Sequence, residues 1–467
     1  MNNRKASFIR IAILTFMFAA SAATAKAENF IAYLNGAQQV PAAATSATGY
    51  ARVFLNEGAG TITFTVVFNG LTSAQTLSHI HAPAAIGANA SVVIDFGAVG
   101  GTSGTISGTR SITPTQIAQL RAHQGYVNVH SVNFPNGEIR GQLGITRPVD
   151  YDGDGKQDPS IIRFPNIAPP GVAQITYYNN NTTSGVQIEP WGDVNKDFPA
   201  PGDYDGDGKG DLAIYRDGAN TPNGQSEHWV LFSSNGTVGR AFFGTTGDEA
   251  VNRDYDGDGK TDVAVFRRGL NIGDPAVWYI QQSASGQVRI TQFGTTGNTE
   301  DNSTGDTPAP GDYDGDGKFD LCLYRFGFTG NPSNNSFIVL RSSDGVTTYQ
   351  NWGNFTSDYV LPGDYDGDGK YDYCVARTGA TATSPMVWWV LKSSNGQVQA
   401  QTFGFSADLP TQGDYDGDAR TDFSVYRNGA TVGSASFFWY FSSFVNNGFG
   451  TQWGIRGDFP PATFDAR

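Results

Sequence analysis

Aspartate recurs at fixed spacing in six short segments of this chain. Each reads Asp-Tyr-Asp-Gly-Asp-Gly-Lys-x-Asp or close to it, and they begin at Asp150, Asp203, Asp254, Asp312, Asp364 and Asp414. Carboxylates at positions 1, 3, 5 and 9 of a tight loop are the pattern of a calcium site. Calcium wants roughly six or more hard oxygens at about 2.4 Å, and glycine at position 6 permits the sharp turn. A single copy would be read equally well as an Asx turn. Six copies favour calcium, holding each unit in shape by neutralising its clustered carboxylates.

Histidine offers a second chemistry. His79 and His81 alternate along a strand-like run and therefore face the same way, and His130 lies in a similar run. Three imidazoles, with Glu138 nearby, could ligate zinc or copper. The alternative is that they bond to backbone and brace their domain. No acidic pair, Ser/His/Asp set or nucleophilic cysteine stands outside the repeats. Asp217, Glu227, His228 and Arg268 are charged or titratable residues without counterparts in sibling units.

The elements that must position the aspartates are repeated too. Successive loops start 53, 51, 58, 52 and 50 residues apart, as in an array of similar supersecondary units. After each loop comes a short apolar run ending in arginine, such as Leu212 to Arg216. A variable loop and an aromatic-rich run follow, such as Trp229 to Phe232. A Ser-Asn-Gly or Asp-Gly turn then leads to a run closing on Trp-Gly or Phe-Gly. Such runs between turn residues are strands, with Asn235-Gly236, Asp344-Gly345 and Asn395-Gly396 as hairpin signals. Four strands per unit make one blade of a β-propeller. The final stretch Asp458-Phe459-Pro460-Pro461 supplies the extra strand that closes a ring. Six closed blades are therefore expected, with seven blades or an open solenoid as alternatives.

Three periodic features refine this picture. Arginine falls five residues after each last aspartate, at Arg163, Arg216, Arg267, Arg325, Arg377 and Arg427, an architectural pairing or ring-lining position. Cys322 and Cys374 occupy a position held elsewhere by Ser160, Ala213, Ala264 and Ser424, so a small packing side chain is expected there rather than a disulfide. The tripeptide Arg456-Gly457-Asp458 spells an integrin-recognition motif. Its Asp458, however, falls where Asp197, Asp248, Asp358 and Asp408 fall in other units, so the match reads as coincidence. Loops 217–228, 268–277, 326–336, 378–387 and 428–437, with the 299–309 insertion, should emerge opposite the Asp loops. Length variation on a fixed scaffold is what a binding face looks like.

Residues 1–27 read as a secretory signal peptide, with Arg4, Lys5 and Arg10 beside an apolar run and Ala25-Lys26-Ala27 as the cleavage site. Nothing later is long and apolar enough to span a membrane. Cleavage near Ala27 leaves 26 Lys+Arg against 44 Asp+Glu, a net −18, of which 24 acids are loop aspartates. That acidity argues against nucleic acid as a partner. Composition shifts near Arg147-Pro148, dividing an all-β domain at 28–146 (sandwich or barrel, with a helix at Pro114 to Ala122) from the repeats at 147–467.

Two resemblances follow from these motifs. Leu34-Asn35-Gly36-Ala37-Gln38-Gln39-Val40-Pro41, His79-Ile80-His81-Ala82-Pro83, Tyr126-Val127-Asn128-Val129-His130 and Gly137 to Leu143 resemble the CHRD, or chordin-type, domain. That family implies an exported interaction or matrix module. The Asp loops resemble FG-GAP or VCBS-type calcium propellers, the family of the integrin α head, in which the loop joins the first two strands of a blade. Carried onto this chain, the resemblance implies calcium ligands at Asp150, Asp152, Asp154 and Asp158 with the Lys156 carbonyl. The second set is Asp203, Asp205, Asp207, Lys209 and Asp211, and the third Asp254, Asp256, Asp258, Lys260 and Asp262. The fourth is Asp312, Asp314, Asp316, Lys318 and Asp320, and the fifth Asp364, Asp366, Asp368, Lys370 and Asp372. The sixth is Asp414, Asp416, Asp418, Arg420 and Asp422, where Ala419 replaces the position-6 glycine and should weaken binding.

The expected function is an exported (secreted or periplasmic), calcium-binding, non-enzymatic adhesion or binding protein with a protein or glycan ligand. The alternative is an enzyme, through a His-ligated zinc or copper in the first domain or polysaccharide degradation on the propeller face.

Overall fold

The computed structural model describes residues 27–36, 38–84, 87–121, 124–143, 148–153, 156–164, 174–182, 184–297, 305–327, 335–354, 358–417, 420–443 and 446–464. The signal segment up to Lys26, ligand candidates Asp154 and Asp418, Ala419, and much of the 299–309 and 326–336 loops lie outside them.

Alternation of apolar and polar residues builds the first domain. Strands β1 (Ala27–Asn35), β2 (Thr48–Asn56), β3 (Thr61–Asn69), β4 (Gln75–His81), β5 (Val92–Asp95), β6 (Gly104–Ser111), β7 (Tyr126–Ser131) and β8 (Ile139–Gln142) form one sheet. Its order is β5-β4-β7-β8-β1-β2-β3-β6, nearly closed into a barrel, which decides between barrel and sandwich. In β2 and β3 every second residue is buried, so Val53, Phe64 and Val66 fill the interior. The helix α1 (Pro114–Arg121) buries Ile117 and Leu120 against that core.

Six sheets follow, one per Asp loop. The first blade has β9 (Ser160–Arg163), β10 (Gln174–Asn181) and β11 (Gly185–Asp193). The second has β12 (Asp197–Pro199), β13 (Leu212–Arg216), β14 (Gln225–Leu231) and β15 (Val238–Thr245) in that order across the sheet. The remaining four blades repeat the second. Aromatic side chains of the third strands weld adjacent blades: Trp278 packs with Leu321 and Leu323, and Trp388 with Phe423 and Val425. The ring closes as expected, because Ile162 and Phe459 exchange backbone hydrogen bonds of 2.7 and 2.9 Å and complete the first blade.

The periodic arginines are architectural. Arg163, Arg216, Arg267, Arg325, Arg377 and Arg427 each make a two-pronged pair with Asp458, Asp197, Asp248, Asp306, Asp358 and Asp408 respectively. The same aspartates accept a backbone N–H just beyond the aromatic-Gly pair, as Asp248 does from Thr245 at 2.8 Å. Those glycines need their positive φ, which is 101° at Gly244. Asp458 is therefore buried in an ion pair rather than presented to a receptor. Ser160, Ala213, Ala264, Cys322, Cys374 and Ser424 are all buried, and both cysteines are free thiols.

Candidate metal centres

The Asp loop joins the first two strands of blades two to six, β12 to β13 in the second, and in the first blade it leads into β9, whose partner strand comes from Phe459. Its hydrogen bonds pre-arrange the carboxylates. In that blade Asp203 accepts N–H bonds from Gly206 (2.6 Å) and Gly208 (2.9 Å), while Asp211 accepts from Tyr204 (2.7 Å). Gly206 and Gly208 have φ of 77° and 85°, a conformation that curls the backbone round the first aspartate. The Tyr204 hydroxyl ties the loop to the Ala200 carbonyl at 2.7 Å.

Ligand-capable oxygens of Asp150, Asp152 and Asp158 lie within 4.8 Å of one another, as do those of Asp203, Asp205 and Asp211, of Asp254, Asp256 and Asp262, and of Asp312, Asp314 and Asp316. Positions 1 and 9 are the most deeply set: Asp203, Asp211, Asp262, Asp320, Asp372 and Asp422 are fully buried. Burial, reinforced by neighbouring carboxylates, pushes Asp211, Asp262, Asp320 and Asp372 up to about 7 and Asp422 up to about 8. Asp203, Asp254, Asp312 and Asp364 are likewise raised well above the ordinary aspartate value, by burial first and then by neighbouring carboxylates. Such a cluster is uncomfortable as a set of anions without a cation. The donors suit calcium, being all hard oxygens. One of them, the buried Asp366 Oδ1, has no hydrogen-bond partner.

Two parts of these loops escaped sequence reasoning. The turn between third and fourth strands folds over the loop: backbone N–H of Ser233, Ser283, Ser342, Ser393 and Ser443 donates to the position-9 carboxylate at 2.6–2.8 Å. The signal was the serine opening these five turns, with Thr182 taking its place in the first blade. Neighbouring loops are also joined. The position-8 N–H of each blade donates to the position-1 carbonyl of the blade before it: Gly210 to Asp150, Thr261 to Asp203, Phe319 to Asp254, Tyr371 to Asp312, Thr421 to Asp364 and Gln157 to Asp414, at 2.6–2.9 Å. The position-7 side chain lies along the preceding loop, so that a Cβ on Gly206 would meet Lys260 Cε at 2.9 Å.

The barrel sits on this loop face. Asn35 Nδ2 donates to the Gly315 carbonyl at 3.1 Å, and the Arg52 guanidinium leaves no room for a Cβ at Gly417 of the sixth loop. A cavity of about 180 Å³ lies between them, bordered by Gln38 and Gln142 from the barrel and Asn252, Phe319 and Gln412 from the propeller. The variable loops leave from the other end of the blades.

The unpaired-looking charges do not converge. Glu227 binds Arg240 and the Trp229 indole, Asp217 accepts from Gly247, and Arg268 reaches Glu249 and the Asp306 carbonyl. His228 is buried beside Tyr215 and Asn252, and burial pulls it down to about 3.

In the barrel, His79, His81 and His130 do come together, with ligand nitrogens within 4.8 Å. They occupy the face of β4 and β7 opposite the core residue Ile80. Burial first, then neighbouring imidazoles, lowers His79 and His130 from the ordinary histidine value. Glu138 does not join them. It is fully buried and bound to Thr45, Thr72 and Ser131.

No curated protein matches the chain. Among solved structures, a Bacteroides fragilis protein described as a 6-phosphogluconolactonase is 11% identical, with 65% of this chain and 95% of that one covered at a TM-score of 0.35. A Pyrococcus horikoshii acylaminoacyl peptidase is 10% identical, with 93% and 67% covered at 0.31. At these scores neither likeness bears on activity. Family models match in two places, the CHRD domain over residues 30–143 and the FG-GAP-like repeat over residues 254–323. The chain thus carries a CHRD domain followed by a six-bladed propeller, within which residues 254–323 match the FG-GAP-like repeat.

Proposed function

We propose that this protein is an exported, calcium-loaded binding protein of the adhesion type, without catalytic activity, whose propeller offers its variable loops to a protein or glycan. The observation that carries the reading is the sixfold acidic loop, built on one end of the blades and covered by the barrel, which leaves the other end for a ligand. Calcium would be held by the carboxylates of positions 1, 3, 5 and 9, with the position-7 carbonyl. It would fix the loops that couple one blade to the next. A CHRD domain beside an FG-GAP propeller is domain content typical of non-enzymatic proteins.

The test is binding of the mature chain to glycan and protein arrays, with calcium and with chelator. A ligand held only with calcium and lost when 217–224 and 268–274 are replaced by Gly-Ser of equal length supports the reading. Capture indifferent to those loops, or turnover of an arrayed polysaccharide, overturns it.

A further inference from the structure

Three imidazoles converge on one face of the barrel sheet, and the outer nitrogens of two of them are already committed. His81 Nδ1 lies 2.9 Å from the Ala90 carbonyl and His130 Nδ1 2.8 Å from the Pro135 carbonyl. A carbonyl can only accept, so in each neutral ring the proton sits on Nδ1 and the lone pair on Nε2. His79 Nε2 faces the Asp95 carboxylate at 3.9 Å, which favours the proton there and the lone pair on Nδ1. All three lone pairs are then turned inward.

The three ligand nitrogens lie within 4.8 Å of one another, and one pair is spaced as ligands of one ion. His79 Nδ1 and His130 Nε2 are 3.2 Å apart. Two nitrogens each about 2.05 Å from a tetrahedral ion stand roughly 3.3 Å apart. His81 Nε2 meets Asn128 Oδ1 at 3.0 Å, again an acceptor against an acceptor in that tautomer. Backbone carbonyls and a carboxylate on the outer nitrogens are the usual support behind metal-bound histidine. The rings are held further by the Tyr126 ring, stacked on His81 at 4.7 Å and covered by Arg140 at 3.5 Å. Each histidine keeps 8–9% of its surface exposed.

We propose that His79 Nδ1, His81 Nε2 and His130 Nε2 form a three-imidazole site for a single zinc or copper ion, with Asn128 Oδ1 beside the fourth position. Soft sulfur is missing from the set, so the ion is of the borderline class that imidazole suits. None of its four residues belongs to an Asp loop or a variable loop.

The experiment uses the full mature chain, stripped with chelator, returned to calcium and titrated with zinc, copper(II) or cobalt(II). The expected result is one tightly held equivalent of zinc or copper beyond calcium. Cobalt should give the visible bands of a four-coordinate ion and copper a nitrogen-coupled paramagnetic spectrum, which separates the two metals. His79→Ala and His130→Gln should each weaken binding at least about 100-fold with the calcium content unchanged. Should either fail to fold, His81→Gln with circular dichroism and calcium content as controls carries the test. Absence of a tight equivalent, or an affinity that the folded variants leave unaltered, overturns the proposal. In that case His79 simply donates to His130, and a flipped Asn128 amide donates to His81.

Discussion

Each position-1 aspartate shapes its loop through glycine N–H bonds and, in the proposed function, would also present charge to calcium. Asp203→Asn removes the charge and keeps an acceptor for only one of the two glycine bonds, which use different carboxylate oxygens. It should therefore lower bound calcium by one equivalent, read by mass spectrometry, with some loosening of that loop. Asp458→Asn acts elsewhere. It leaves the Arg163 guanidinium without its carboxylate at the joint of first and last blades, and should cost about 2 kcal/mol, discounted because the arginine is about one-third exposed. Its thermal midpoint should fall, whereas Leu270→Ala, at a side chain 99% exposed, should leave it unchanged. The aspartates and arginines were legible because each recurs at a fixed offset. Their pairing was only half legible, since the 299–309 insertion hid Asp306 from its siblings. Glu138 misled by nearness in sequence to His130. The chain reverses between β7 and β8, and its carboxylate turns toward Thr45, Thr72 and Ser131 instead.

Among elements, the hairpin turn and the Asp loop act as one unit, because the serine N–H closes on the position-9 carboxylate. A glycine inside the loop is constrained twice, by positive φ and by its neighbour's lysine. Gly206→Ala should cost about 1–3 kcal/mol and weaken calcium at the second loop, while Gly247→Ala, with φ of 85° but open space, should cost less. Calorimetry of both variants with saturating calcium checks the ranking. The β-strands were legible from alternation and turn residues, and α1 came within a residue of its expected end. The bonds from loop to loop were not, because position 8 is Gln, Gly, Thr, Phe, Tyr and Thr in turn. A backbone contact leaves no side-chain signature. At the sixth loop the Arg52 guanidinium brings a positive charge against Gly417, and Arg52→Ala should raise the weakest step of a calcium titration.

For the whole molecule, the clustered acids set a pH response whose sign depends on metal. In chelator, Asp211, Asp262, Asp320 and Asp372 titrate near 7 when folded but near the ordinary value of roughly 4 when unfolded. The folded chain then holds more protons between those values, so stability should fall as pH rises from about 4 to about 7. With calcium the trend should reverse, because the ion and the protons compete for the same oxygens. Melting curves across that range with and without chelator decide it. Blade number and domain order were legible in the sequence because they rest on repetition. The seating of the barrel on the loop face was not, since it depends on contacts such as Asn35 with Gly315, 280 residues apart. The circle of loop-to-loop bonds has one further consequence. An open array frays from its terminal units, but a circle has no terminal unit, and every loop is buttressed on both sides. Its seam is the joint of first and last blades, where Phe459 meets Ile162, Asp458 meets Arg163 and the Gln157 N–H bonds to Asp414. Deleting residues 456–467 together with Gln157→Pro, which removes that N–H, should convert the circle into a line with two loose ends. Calcium would then leave the first and sixth loops before the middle ones, and a single melting transition would spread into several.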